Sequence, residues 1–224
     1  MSRRPSYVDC ARGILLQAQG ELLDEFGRAA LEETAFSDYT NGFPPAAYLG
    51  WSRVVHAQRL LLARADRSSA LDFGSGLGVM LPFLAQHYRR VVAYDLDPRP
   101  AETMIAKLSL QNVHPRTGLQ ASDIDFDAIV ALDVLEHVTD LDAIYGDLLT
   151  RTSARGCWVI SGPTENWLYH AMRRLSRTTG EGHIRTIYDV FDAVPNEMRC
   201  AKVARLPFGS PVPLFLIALF ARAD

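Results

Sequence analysis

Cysteine is scarce in this chain: Cys10, Cys157 and Cys200 are three widely spaced residues in 224, with no CxxC pair. An odd, scattered set builds neither a disulfide framework nor a cysteine zinc site, and it fits a reducing, cytoplasmic setting. A basic surplus is also missing, because 23 Lys and Arg against 26 Asp and Glu leave a formal net charge of -3. Nucleic-acid binders usually gather such a surplus on one face, so DNA and RNA are not expected partners. Apolar runs are short. The run "PLFLIALFA" at 213–221 is far below the roughly 20 residues of a membrane-spanning helix, and its bulky residues suit a buried strand. The basic start "MSRRPSYVDCARGILL" holds only a brief apolar stretch around Ile14 to Leu16, too little for a signal-peptide core, so no export is expected. Internal repeats and low-complexity segments are absent too.

What remains is an ordinary soluble composition, 48% hydrophobic and 22% charged, in a chain long enough for one α/β domain with additions. Ala11, Ile14, Leu15, Ala18, Leu22 and Phe26 recur at helical spacing, which predicts an amphipathic helix over 8–34 despite Gly13 and Gly20. "NGFPP" at 41–45 breaks the pattern, and a second helix is expected over 47–66. Beyond it, strand candidates at 69–73, 91–95, 112–116, 127–132 and 156–161 alternate with helices at 78–88, 98–110 and 140–152. That alternation means βαβ units and a parallel sheet covered on both faces. Asp97-Pro98 marks one helix start, since Asp is a good N-cap and Pro suits the first helical position. The remainder reads as helices at 165–177 and 187–193, then strands at 198–206 and 212–220. The chain thus divides into a helical N-terminal extension (1–66), a ligand-binding core (67–162) and substrate-side helices with a C-terminal strand pair (163–224).

The most informative stretch is "LDFGSGLGVM" at 71–80, a strand end followed by Gly74, Gly76 and Gly78. Glycine permits the positive backbone angles of a tight turn and lets a ligand lie against the main chain. A P-loop would close on Gly-Lys-Ser/Thr, and no Lys occurs here. The dinucleotide pattern would place its third glycine at 79, which is Val79. Asp72, just ahead of the loop, would repel a pyrophosphate and attract a cationic amine. The next strand, "VVAYDLDP", ends at Asp95, where neighbouring strand tips share a crevice; a carboxylate there can accept both hydroxyl hydrogens of a ribose, and Leu96 can cover an adenine face.

In that order and spacing, "LDFGSGLG", "VVAYDLDP" and "FDAIVALDVLEHV" resemble the main motifs of class I S-adenosylmethionine-dependent methyltransferases over roughly residues 69 to 162. The resemblance implies a Rossmann-like fold: a seven-stranded, mostly parallel sheet whose last strand is antiparallel, with helices on both faces and an added helical N-terminus. It implies S-adenosylmethionine as cofactor, with Asp72 and the loop of Gly74, Ser75, Gly76 and Gly78 around its methionine part, and Asp95 and Leu96 at the ribose and adenine. The family often has an acidic residue after the third strand for the adenine amine; Gly118 or Leu119 falls there, with Asp123 a substitute.

Methyl transfer needs an aligned acceptor and, often, a group to take its proton. Asp133, Glu136 and His137 follow the fourth strand at i, i+3 and i+4, so a helical turn would put them on one face. They resemble the E-x-x-E-H cluster of ubiquinone-pathway O-methyltransferases, which has been linked to a divalent metal; the alternative is that the segment only caps and packs, and no metal is expected. Asp133 is placed beside the methyl donor or acceptor. His137 and His183, the latter in "GEGHIRT", are the candidate bases. Glu165 and Asn166 stand either as acceptor contacts or as the polar start of a helix. On "ENWLYHAMRRLSR", an apolar stripe of Trp167, Leu168, Ala171, Met172 and Leu175 opposes His170, Arg173, Arg174 and Arg177. Such a helix can rest on an anionic membrane or pack like any other.

The expected function is transfer of a methyl group from S-adenosylmethionine to a small-molecule or lipid acceptor, with oxygen the expected atom. A noncatalytic S-adenosylmethionine-binding module and a nicotinamide-dependent dehydrogenase stay as alternatives. The acceptor, the oligomeric state and any peripheral membrane contact are left open by the residues.

Overall fold

A computed structural model describes residues 6–32, 34, 36–40, 44–64, 66–176, 184–207 and 210–223. Seven strands form one sheet in the order β3-β2-β1-β4-β5-β7-β6. They are β1 (Ser69–Phe73), β2 (Arg90–Tyr94), β3 (Val113–Arg116), β4 (Phe126–Leu132), β5 (Thr152–Pro163), β6 (Met198–Leu206) and β7 (Phe215–Arg222). The first five pair in parallel, and β7 lies antiparallel between β5 and β6. This is the Rossmann-like methyltransferase arrangement that the motif order implied.

The two-residue period of the strands sorts their side chains between two cores. Ala70, Val91, Ala128, Val130 and Val159 point to one face and pack with α1 (Tyr7–Glu32), α3 (Pro44–Leu62), α4 (Leu81–His87) and α5 (Arg99–Leu108). Leu71, Val92, Ile129, Trp158 and Ile160 point to the other, against α6 (Leu141–Arg151) and α8 (Ile187–Asp192). Parallel strands covered on both faces are apolar throughout, which is why β1 is buried at all five positions.

Several boundaries differ from the sequence reading for identifiable reasons. The helix after the glycine loop begins at Leu81 rather than at Gly78, because Gly78 has φ +71° and its N–H and C=O close turns to Ser75 and Leu81. Pro82 therefore falls in the first turn, where no intrahelical donor is needed. The N-terminal helix survives Gly13 and Gly20 but kinks at Gly27 (φ 74°, ψ 156°). A short helix, α2 (Phe36–Thr40), follows it, unforeseen because five residues carry too little periodicity. Asp97 supplies the oxygen at the start of α5, since Pro98 already has helical dihedrals and Asp97 Oδ1 accepts the Arg99 N–H at 3.2 Å. β5 begins four residues early across a bulge against β4, and β7 starts only at Phe215, after the imide nitrogens of Pro211 and Pro213.

Candidate functional site

In a sheet of order 3-2-1-4-5, the chain leaves β1 and β4 in opposite directions, so their carboxyl ends flank an open crevice. A cleft of about 1690 Å³ lies there; its wall includes Asp72, Gly74, Ser75, Gly76, Asp95, Leu96, Asp133, Glu136 and His137. The residues singled out at the strand tips are thus brought to one cavity, except for Gly78, which turns below the loop, and His183, which lies outside the described residues.

At the β1 end, Gly74, Gly76 and Gly78 all have positive φ, between 48° and 74°. Gly74 also has no room for a side chain, since a Cβ would meet Val134 Cγ2 at 2.4 Å. The loop's N–H groups are engaged within the chain. Gly74 and Ser75 donate to Tyr94 O, Gly76 donates to Asp95 Oδ2 at 2.8 Å, and Gly78 donates to Ser75 O. With these four amides turned inward, the loop is not an anion-binding nest. What it offers the cleft is close approach, the buried Ser75 hydroxyl, which has no hydrogen-bond partner among the described residues, and Asp72. Asp72 is buried, and burial followed by the nearby Asp95 pushes its carboxyl up to about 7; no cation among the described residues offsets this. Such a carboxyl is ready for a cation brought by a ligand. Asp95 ties the loop to β2 while keeping lone pairs open, and Leu96 beside it is 85% exposed.

At the β4 end, Asp133 sits at φ 55°, a left-handed conformation that a non-glycine residue holds only when its surroundings enforce it. Its N–H donates to Ser161 O, its Oδ1 accepts the Ser161 hydroxyl at 3.0 Å, and its Oδ2 lies 2.9 Å from Arg53 Nη1. Arg53 comes from α3, is 1% exposed and places its guanidinium 4.2 Å from the ring centre of Phe215. The sequence reading missed Arg53. A signal was present: with Leu49, Ala57 and Leu60 it occupies the buried stripe of α3, where an unpaired charge is untenable.

Glu136 stays beside Asp133 on the cleft wall, but His137 is not buried with them. The segment makes a 3₁₀ turn (Leu135–His137), which buries Glu136 and leaves His137 exposed at the rim. Burial and the neighbouring Asp133 hold the Glu136 carboxyl well above the usual carboxylate range. Among the described residues no group of three His, Cys, Asp or Glu is placed to hold a metal ion.

One further expectation is corrected, and for others the structure selects between the alternatives. Asp123 is fully buried, paired with Arg90 and Arg116 behind β3, and does not line the cleft, so it is a structural ion pair rather than an adenine contact. Asn166 is the cap of α7 (Trp167–Ser176), accepting the Tyr169 N–H at 2.9 Å and donating to Thr164 and Pro213; Glu165 pairs with His170 at 3.4 Å. On α7 the packed side is Leu168, Tyr169 and Met172, whereas Trp167 is 72% exposed, so the helix is rotated from the predicted stripe. Arg177 lies outside the described residues. No helix among the described residues is long and apolar enough to cross a membrane.

Residues 50–193 match the family model described as methyltransferase domain, well over half of the chain. The chain belongs to that family, within the class I S-adenosylmethionine-dependent methyltransferases. The ubiquinone biosynthesis O-methyltransferase of Bradyrhizobium sp. (strain ORS 278) is 28% identical over 109 residues, 46% of this chain and 42% of that protein. Its counterpart in Rhodopseudomonas palustris (strain HaA2) is 25% identical over the same length. The match thus spans less than half the length of these curated relatives. Among solved structures, the N-methyltransferase NodS from Bradyrhizobium japonicum WM9 aligns with a TM-score of 0.63 at 18% identity, covering 77% of this chain and 96% of that one. The 1,6-didemethyltoxoflavin-N1-methyltransferase of Burkholderia thailandensis aligns over 100% of this chain and 93% of its own, with a TM-score of 0.56 at 13% identity. These structures share the fold.

Proposed function

We propose that the whole chain acts as one S-adenosylmethionine-dependent methyltransferase that methylates a small-molecule acceptor at oxygen. The observation that carries this reading is Asp72, a buried carboxyl on the cleft wall with no cation beside it among the described residues. Its complement is an ammonium, which the methionine part of S-adenosylmethionine carries. The unpartnered Ser75 hydroxyl and the side-chain-free surface at Gly74 and Gly76 fit the same end of that molecule, while Asp95 is placed for the ribose hydroxyls and Leu96 for an adenine face. Inward-turned loop amides speak against a nicotinamide dinucleotide, whose pyrophosphate needs them. Bound there, the cofactor supplies a methyl group on a sulfonium, open to in-line attack.

The protein's own share of the work is positional. Asp133, fixed by Arg53 and Ser161, orients the acceptor hydroxyl through its carboxylate. His137, exposed at the rim, takes the hydroxyl proton, with His183 a second candidate base. Tyr169, Leu214 and Phe215 supply an apolar wall that excludes water from the acceptor. Oxygen as the methylated atom is supported by the names of the two curated relatives; NodS is named an N-methyltransferase, and its likeness extends to the fold.

Calorimetry with S-adenosylhomocysteine and with NAD tests the reading. Micromolar binding of the former, weakened at least tenfold by Asp95→Ala, supports it; binding of NAD instead, or binding indifferent to Asp72 and Asp95, defeats it. A noncatalytic module would bind equally well yet never consume labelled S-adenosylmethionine with any phenolic or hydroxyl acceptor offered. The exposed Trp167 above Arg174 favours a lipid acceptor presented at a membrane. Loss of sedimentation with anionic vesicles in Trp167→Ala would support that version, and no sedimentation of the parent protein at low salt would remove it.

A further inference from the structure

Among the described residues, Glu136 is the buried carboxyl of the cleft wall that the mechanism above leaves unused. It is 1% exposed, and among the described residues no other residue hydrogen-bonds either carboxyl oxygen. Its backbone is fixed, the carbonyl accepting the Ile184 N–H at 3.1 Å. Gly162 of the neighbouring strand β5 lies beside it: a Cβ there would reach Glu136 Oε2 at an ordinary contact of 3.5 Å, while Ile187 Cδ1, at 2.9 Å, is the atom it would crowd. A carboxyl so enclosed is costly to bury unless something completes its hydrogen bonds, and it lines the cleft.

The surrounding charges say what kind of group completes it. Asp133 faces it from the tip of β4, Arg53 from α3 and Glu165 from beyond β5. Arg53 is engaged with Asp133 at 2.9 Å, and Glu165 with His170 at 3.4 Å. Burial and Asp133 raise the Glu136 carboxyl well above the usual carboxylate range, which favours the protonated form with one O–H donor and one carbonyl acceptor. A cationic partner would have to share the site with the guanidinium group of Arg53. Among the described residues, no group of three His, Cys, Asp or Glu is placed to hold a metal ion there.

We propose that Glu136 is the acceptor-recognition residue of this cleft and seats a neutral oxygen-bearing group of the small molecule, a hydroxyl or a carbonyl. This rests on the methyltransferase reading, and the test separates the two. Protein saturated with S-adenosylhomocysteine is titrated with phenol, benzamide, benzylamine and MgCl₂, with ligand-observed NMR and melting temperature as readouts, in the parent, Glu136→Gln and Glu136→Met. An amide keeps one donor and one acceptor. Glu136→Gln should therefore bind phenol or benzamide within about threefold of the parent, whereas Glu136→Met should lose at least tenfold and melt higher. S-adenosylhomocysteine affinity should stay constant across all three. Preference of the parent for benzylamine or Mg²⁺, abolished in Glu136→Gln, would overturn the proposal, as would neutral probes that bind Glu136→Met unchanged or do not bind the parent. Failure of S-adenosylhomocysteine to bind the parent would instead defeat the methyltransferase reading.

Discussion

Arg53 in α3 and Asp133 at the tip of β4 meet at 2.9 Å, joining the helical N-terminal extension to the end of the cleft where the acceptor is expected. The pair is almost fully enclosed, with side-chain exposures of 1% and 11%. In such a pair the desolvation cost rivals the attraction, but removing one partner strands the other. Arg53→Met should lose about 3 kcal/mol of stability by urea unfolding, while Arg53→Met with Asp133→Asn should recover part of that loss through a coupling of about 1–2 kcal/mol. Strictly additive losses would mean that the two residues are not energetically linked. Methyl transfer by the double variant should stay low, because the amide is no longer held in the Asp133 geometry.

Asp72 should make cofactor binding depend on pH. Its carboxyl titrates near 7 in the folded protein against an ordinary 3.8, so the folded state keeps a proton that the unfolded chain gives up. The resulting stability is full below about pH 4, declines as pH rises through the window to 7, and is flat above it. An ammonium seated against the carboxylate favours the charged form, so S-adenosylhomocysteine should bind about tenfold more weakly per pH unit below 7 and level off above it. Asp72→Asn should flatten both profiles and weaken binding at pH 8. Isothermal titration between pH 5.5 and 8.5 reads this directly; a parent protein with pH-independent affinity would refute it.

Much of the fold was legible in the sequence because parallel strands buried on both faces and helices with apolar stripes announce themselves by period. The glycine-loop end of the cleft was legible for a different reason: a chain turning tightly beside a cleft demands glycine at fixed spacing, and Asp72 and Asp95 sit where strand tips end. The acceptor end was harder to read. Whether Glu136 and His137 lie on one face depends on a 3₁₀ turn set by the left-handed Asp133, which no i, i+3, i+4 count reveals. Arg53 acts across 80 residues of sequence, and its only local trace is a charge placed on a buried stripe.

Asp123 separates structure from recognition. It is buried against Arg90 and Arg116 and accepts the Gln120 N–H at 2.9 Å, tying the β3–β4 connection to β2. Both arginines keep about a third of their side-chain surface in solvent, so Asp123→Asn should cost about 2 kcal/mol rather than the 3–5 kcal/mol of a fully buried pair. Cofactor affinity should remain within threefold of the parent. A larger affinity loss, with thermal stability unchanged, would restore an adenine role to this carboxylate.

Gly74 is where the two ends of the cleft touch. At φ +74°, an L residue there is strained, and a Cβ would stand 2.4 Å from Val134 Cγ2 and 2.7 Å from Val134 Cβ, the residue directly after Asp133. Gly74→Ala should therefore lose about 2–3 kcal/mol, with conformational strain and overpacking both contributing. It should also displace Asp133, lowering methyl transfer more than S-adenosylhomocysteine binding. Val134→Ala removes the two methyl groups nearest the new Cβ but not Val134 Cβ or the backbone strain. Added to Gly74→Ala, it should return about half of the lost stability, as measured by chemical unfolding. Full recovery would mean that steric contact alone requires glycine, and no recovery would mean that the positive φ does.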